Sequence, residues 1–260
     1  MYKDIIYSKK EGIACVTLNR PEVLNVFRWE TIDDLLRAFE DAVKDRTIGV
    51  IILTGKGRSF CCGGDINVLS TLDKESGREW NRQLNNLAVL MRSMPKPIIA
   101  AVNGYCIGGG NELNMFCDLS IASKKAVFGQ AGPRIGGCPL WGGTQLLPKL
   151  VGDKRAREII MLCNQYTADQ ALAMGLINCV VEHEELEAEA ERWARRILEM
   201  APQSIELAKI ALNSQLDLLD SLNDGAALLT HVVWGSEQLK EGTTAFKEKR
   251  KADFSRFRKV

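Results

Sequence analysis

Short apolar runs alternate with longer stretches of helical periodicity along most of the chain. Ile13–Leu18 and residues 49–53, 98–102, 119–122 and 177–181 are β-prone or apolar and mostly bounded by turn residues. That pattern suits strands buried in a sheet. Between the first two, Ile32, Leu35, Leu36, Phe39 and Val43 recur at helical spacing within 28–44. Residues 77–94 read as a helix stopped by Pro95 and Pro97. Asp153 and Thr167 predict caps for helices running to Cys163 and Met174, the second ended by Gly175. Beyond residue 181 only helices are expected, over 184–200, 202–213, 216–234 and 236–247. Alternation followed by helices alone predicts an α/β core over 1–200 and a helical extension over 201–260. Residues 67–75 read as a mobile polar loop, and 126–143 as a glycine-rich active-site loop ending in a helix.

The organising stretch is Pro97 to Leu113. A buried strand leads through Asn103-Gly104 to the triplet Gly108, Gly109, Gly110, and then to a helix with Glu112 in its first turn. Free N–H groups at a helix start attract negative charge. A substrate carbonyl placed there would have its oxyanion stabilised, with Glu112 close by as acid or base. The same residues also read as tight packing beside a solvated acid, and the stretch alone does not separate the two.

Composition narrows the field. Of 260 residues, 46% are apolar and 26% charged, and the formal net charge is +1, which favours neither a nucleic-acid nor a membrane-surface partner. No apolar run reaches the ~18–20 residues of a membrane span, the N-terminus lacks the apolar core of a signal peptide, and a cytoplasmic location is expected. Eight cysteines show no zinc-ligand spacing and read as buried thiols, so no metal site is expected. His183 and His231 have polar neighbours, which argues against Ser-His-Asp or Cys-His chemistry. No dinucleotide or P-loop glycine pattern is present.

Several motifs together resemble the crotonase superfamily, the enoyl-CoA hydratase/isomerase fold. They are Leu18-Asn19-Arg20-Pro21 with Leu24-Asn25, Phe60 to Ile66, Lys96 to Asp118, Phe128-Gly129-Gln130, Gly142-Gly143-Thr144-Gln145 and Phe246 with Lys249-Arg250. The resemblance spans essentially the whole chain. It implies a spiral of ββα turns with a C-terminal helical trimerisation region, a homotrimer or dimer of trimers, and an acyl-CoA substrate, whose coenzyme A is the only cofactor-like group. It places the oxyanion hole at the backbone N–H groups of Cys62 and Gly109. Coenzyme A would lie against Val23, Leu24, Asp65 and Ile66, with Phe246 and Lys249 from this or a neighbouring chain. Lys249 would approach the 3′-phosphate, and Trp141 reads equally as an acyl-site wall or a packing residue.

Two-carboxylate hydratases of this superfamily carry a second glutamate where this chain has Gly132, so Glu112 stands alone. The segment from Gln130 to Gly136 resembles instead the ring-acting branch, which includes dihydroxynaphthoyl-CoA synthase and ketocyclohexanecarboxyl-CoA hydrolase. That branch, however, has an aspartate at the position of Pro139 and no acid at that of Glu112. The expectation is a hydratase or dehydratase of a cyclic enoyl-CoA, such as cyclohexene- or cyclohexadiene-carboxyl-CoA, with Glu112 as its acid/base. The alternatives are a ring-cleaving hydrolase or ring-forming synthase, and a non-catalytic acyl-CoA-binding protein.

Overall fold

The computed structural model describes residues 1–214 and 218–257. Its first strands, β1 (Ile5–Lys10) and β2 (Ile13–Leu18), form an antiparallel hairpin. Glu11 and Gly12 turn it with φ of 48° and 85°, the left-handed pair that a tight two-residue hairpin requires. Helix α1 (Trp29–Lys44) follows and buries Ile32, Leu35 and Phe39, the stripe read from the spacing.

Three successive units then repeat one plan. β3 (Val50–Gly55) is followed by β4 (Ser59–Cys61), β5 (Ile98–Val102) by β6 (Tyr105–Ile107), and β7 (Leu119–Ser123) by β8 (Val127–Gly129). The first strand of each pair enters one sheet and the second enters another. The result is a six-stranded sheet ordered β1-β2-β3-β5-β7-β10 and a four-stranded sheet ordered β4-β6-β8-β9, with β9 spanning Gln165–Thr167 and β10 Cys179–Val181. Strands β2, β3, β5, β7 and β10 run parallel, as do β4, β6 and β8. The three-residue strands β4, β6 and β8 are too short to show a periodicity signal and fall in segments read as turns or glycine loops, whereas β10 lies within the expected strand 177–181.

Between β4 and β5 lie α2 (Ile66–Leu69) and α3 (Lys74–Ser93). The loop expected over 67–75 is therefore largely helical. Asp65 accepts the Asn67 N–H at 3.0 Å and caps α2, while Asp73 accepts the N–H groups of Glu75 and Ser76 and starts α3 three residues earlier than expected. After β6 comes α4 (Gly109–Phe116). The 126–143 segment contains β8 and a 3₁₀ turn, Gly132–Ile135, before α5 (Gly143–Val151). Then follow α6 (Asp153–Leu162), α7 (Ala168–Ala173) and α8 (Leu186–Leu198).

The C-terminal helices are α9 (Pro202–Ser214), α10 (Leu218–Leu228) and α11 (Glu237–Lys247). The expected start of a helix at Leu216 lies outside the described residues. A π-helical segment, Leu229–Val233, extends α10, and the Trp234 N–H closes it on the Leu229 carbonyl at 2.9 Å. Lys209 anchors α9 to the core: nearly buried, it donates to the Lys96 carbonyl at 3.0 Å and to Asp118 at 2.7 Å. Helix α10 packs on α3, and α11 on the Gly132–Ile135 turn. No helix among the described residues is long and apolar enough to cross a membrane.

Candidate active site

One cavity of about 970 Å³ opens between the glycine bends and the C-terminal helices. Every residue singled out from the sequence lines it: Val23, Leu24, Cys62, Asp65, Ile66, Gly109, Glu112, Gly132, Trp141, Phe246 and Lys249. Phe246, near the end of the last long helix, and Lys249, just beyond it, reach the cavity of their own chain.

The two bends meet because their side chains are missing. A Cβ on Gly63 would lie 3.0 Å from the Gly109 nitrogen, and one on Gly109 would lie 3.3 Å from the Gly63 Cα and 3.0 Å from the Phe27 ring. A Cβ on Gly110 would sit 1.9 Å from the Cys61 carbonyl oxygen, so that position admits only glycine. Gly109 opens α4, and its N–H has no acceptor among the described residues, as expected for a first-turn donor.

The first bend corrects the sequence reading. The Cys62 N–H is not free: it donates to the Leu24 carbonyl at 3.1 Å. The free donor stands two residues further on. Phe27 pairs with this bend through its own N–H to the Gly63 carbonyl and its carbonyl to the Asp65 N–H, both at 2.8 Å. That pairing leaves the Gly64 N–H without an acceptor among the described residues, in the wall of the cavity. In a parallel bridge one residue bonds to the groups on either side of the residue opposite it, so the N–H of that opposite residue, here Gly64, is not used. Hydrogen-bond bookkeeping of this kind is invisible in a sequence motif.

Glu112 is 6% exposed. Its Oε1 accepts the Gly143 N–H at 3.0 Å, and a Cβ on Gly143 would approach that oxygen to 2.9 Å. Burial raises the Glu112 pKa from 4.5 to about 8, partly opposed by the N–H groups of Gly143 and Trp141. Asp65, by contrast, is held by Arg20 at 3.2 Å and by its cap, so its part in the wall is structural. At Gly132 a Cβ would meet the backbone of Cys138 at 3.2 Å, which leaves little room for a second acid.

Trp141 both lines the cavity and packs in the core. It lines the cavity while its Nε1 donates to the Leu84 carbonyl at 2.8 Å and its ring contacts Phe116 and, edge-on, Phe27. Arg58, Lys247 and Lys249 bring positive charge to the same cavity. Lys247 also donates to Ser70 at 2.8 Å, tying α11 to the end of α2. Arg58, Trp80, Asn81, Trp234 and Lys247 were not read as site residues, because nothing in their local sequence marks them. His183 and His231 bond to Ser123 and the Ala227 carbonyl and do not line the cavity.

Residues 8–257 match the family model described as enoyl-CoA hydratase/isomerase. The chain belongs to the enoyl-CoA hydratase/isomerase family. Its fold is the crotonase α/β spiral. An enoyl-CoA hydratase from Mycobacterium avium subsp. paratuberculosis K-10 is 30% identical, with 97% of this chain and 98% of that one covered and a TM-score of 0.86. An enoyl-CoA hydratase subunit I from Geobacillus kaustophilus HTA426 is 35% identical over 97% and 98% of the two chains, with a TM-score of 0.79. A monofunctional enoyl-CoA isomerase from M. smegmatis is 32% identical over 85% and 98%, with a TM-score of 0.72. Hydratases and an isomerase thus share this family member's frame, and the frame alone does not choose between their reactions.

Proposed function

We propose that this family member is an enoyl-CoA hydratase or dehydratase, a carbon–oxygen lyase acting on a cyclic enoyl-CoA such as cyclohexene- or cyclohexadiene-carboxyl-CoA. The observation that carries the reading is Glu112, a buried carboxylate with no cationic partner among the described residues, beside two main-chain donors that have no acceptor among them. In hydration, the Glu112 carboxylate takes a proton from water as the oxygen bonds to the β-carbon. The displaced π electrons move to the thioester oxygen, held by the N–H groups of Gly64 and Gly109. Glu112 then returns the proton to the α-carbon, and dehydration reverses each step. A pKa near the working pH lets one group act in both halves. The ring-acting likeness of Gln130 to Gly136 and the apolar wall of Phe27, Trp80, Trp141 and Trp234 support a cyclic acyl group.

The other side of the cavity would take coenzyme A, with Val23, Leu24 and Ile66 against the adenine and pantetheine and Lys249 near the 3′-phosphate. Exposed apolar residues on α9 (Leu207, Ile210, Leu212) support assembly as a homotrimer or dimer of trimers, which light scattering tests. A lone carboxylate also suits a 1,3-proton shift, and this second reading is favoured by the poor space for an acid at Gly132. Product mass decides. Incubation with cyclic enoyl-CoA esters should add one water reversibly, and Glu112→Gln should slow it roughly 10²–10⁴-fold. An unchanged mass with a migrated double bond would establish the isomerase, and an open-ring dicarboxyl product would establish a ring-cleaving hydrolase.

A further inference from the structure

The cavity has an open end and a closed one. At the open end Val23, Tyr105 and Phe246 are 38%, 39% and 61% exposed, beside the exposed cations Arg58, Lys247 and Lys249. At the other end Phe27, Trp80, Leu84, Trp141, Leu229 and Trp234 line it, and none is more than 8% exposed. The reacting centre borders this closed end. The Phe27 ring stands against Gly109, where a Cβ would lie 3.0 Å from the ring. Trp141 meets Phe27 edge-on with ring centroids 5.9 Å apart, and two residues further along Gly143 holds Glu112.

These walls are fixed. The Trp141 indole donates to the Leu84 carbonyl at 2.8 Å and leans on Phe116, with ring centroids 4.9 Å apart. Trp80 packs edge-on against Trp29 at 5.0 Å. Trp234 sits on Gly77, where a Cβ would lie 2.3 Å from its Cδ1, and its N–H is bound to the Leu229 carbonyl. Indoles held on several sides in a close-packed interior do not reshape a space as a methionine would.

We propose that the Trp141 indole, backed by Phe27, is a specificity determinant: it limits the acyl group to one compact ring beyond the thioester and excludes extended linear chains. The inference rests on the acyl-CoA reading of the cavity and narrows it, because the discrimination comes from a clash with the wrong substrate. Calorimetric titration of the whole protein with two saturated esters, cyclohexanecarbonyl-CoA and decanoyl-CoA, tests it without turnover. Both carry the same coenzyme A, so the ratio of affinities reports the acyl end alone. Hydrophobic transfer by itself favours the longer chain, so the opposite order is diagnostic. The ring ester should bind roughly 10-fold or more tighter than the linear one. In Trp141→Ala the ratio should fall to about 2-fold or less, with the decanoyl ester gaining affinity in absolute terms. A merely structural loss would weaken both esters together and leave the ratio where it was. If Trp141→Ala does not fold, Trp141→Phe decides, because it keeps an aromatic ring in the core and should still shift the ratio toward the linear ester. Equal binding of the two esters by the wild type, or an unchanged ratio in the folded variant, overturns the gauge while leaving the acyl-CoA reading intact. No binding of either ester overturns both.

Discussion

The two walls of the cavity are built on different principles. On the glycine-bend wall the N–H groups of Gly64 and Gly109 have no acceptor among the described residues, Glu112 lies beside them, and the close approaches follow from missing side chains, as at Gly63, Gly109, Gly110 and Gly143. The wall formed by α3, the π-helical segment, α11 and the turn after it is lined by residues with large side chains, among them Trp80, Asn81, Trp234, Phe246, Lys247 and Lys249. The first wall leaves little freedom, because a single added carbon strikes backbone. The second can change residue by residue while the helices stay in place. Proteins described as a hydratase and an isomerase share this frame.

The sharpest way to break this contrast is Glu112→Gln. It should lower kcat roughly 10²–10⁴-fold with little change in KM, as for the loss of a general acid/base, and steady-state kinetics on the accepted enoyl-CoA would check it. A comparable loss in KM instead would place Glu112 in binding rather than chemistry. Gly109→Ala comes next. Its Cβ presses on the Phe27 ring and the Gly63 bend, so kcat should fall about 10²–10³-fold as one oxyanion donor moves out of line. Gly110→Ala, whose Cβ would strike the Cys61 carbonyl, should instead lower the melting temperature. If these two variants exchanged phenotypes, the assignment of donor and packing roles would fail.

The pH dependence follows from the same carboxyl. In the hydration direction Glu112 must be ionised, so the rate should climb with pH and level off above about 8. Stability runs the other way. The folded pKa is raised from 4.5 to about 8, so the folded state gains from protonation at low pH and loses that advantage as pH rises between those values. Thermal melts should therefore show Glu112→Gln gaining on the wild type across that interval. A smaller effect is expected on the side-chain wall: Lys249→Ala should raise KM by only a few-fold, with kcat intact and the difference shrinking in salt. The smallest is Cys62→Ala. Its N–H is tied to the Leu24 carbonyl and its thiol has no assigned part in the chemistry, so kcat should stay within about 2-fold of wild type.

Much of the core was legible in the sequence. The long strands and α1 announce themselves by uninterrupted apolar runs or helical spacing, since burial on two faces or one stripe demands it. Glu112 and Gly109 were legible because a glycine triplet opening a helix is both a donor site and a close approach. Cys62 was the misreading: the motif locates the bend but not which amide its neighbour consumes, and Phe27 decides that in favour of Gly64. The strands Ser59–Cys61, Tyr105–Ile107 and Val127–Gly129 went unseen because three residues carry no periodicity. Asn81 and Trp234 went unseen because their meaning is a shared wall about 150 residues apart in the chain.

By itself the sequence determined the α/β alternation, the helical ending, and the glycine bends with one carboxylate beside them, because each is a local demand of backbone geometry or burial. The tertiary structure alone decided which amides lack an acceptor among the described residues, how far Glu112 is removed from water, and which residues of the last helices line the cavity. These depend on partners distant in the chain, whose approach no local pattern encodes.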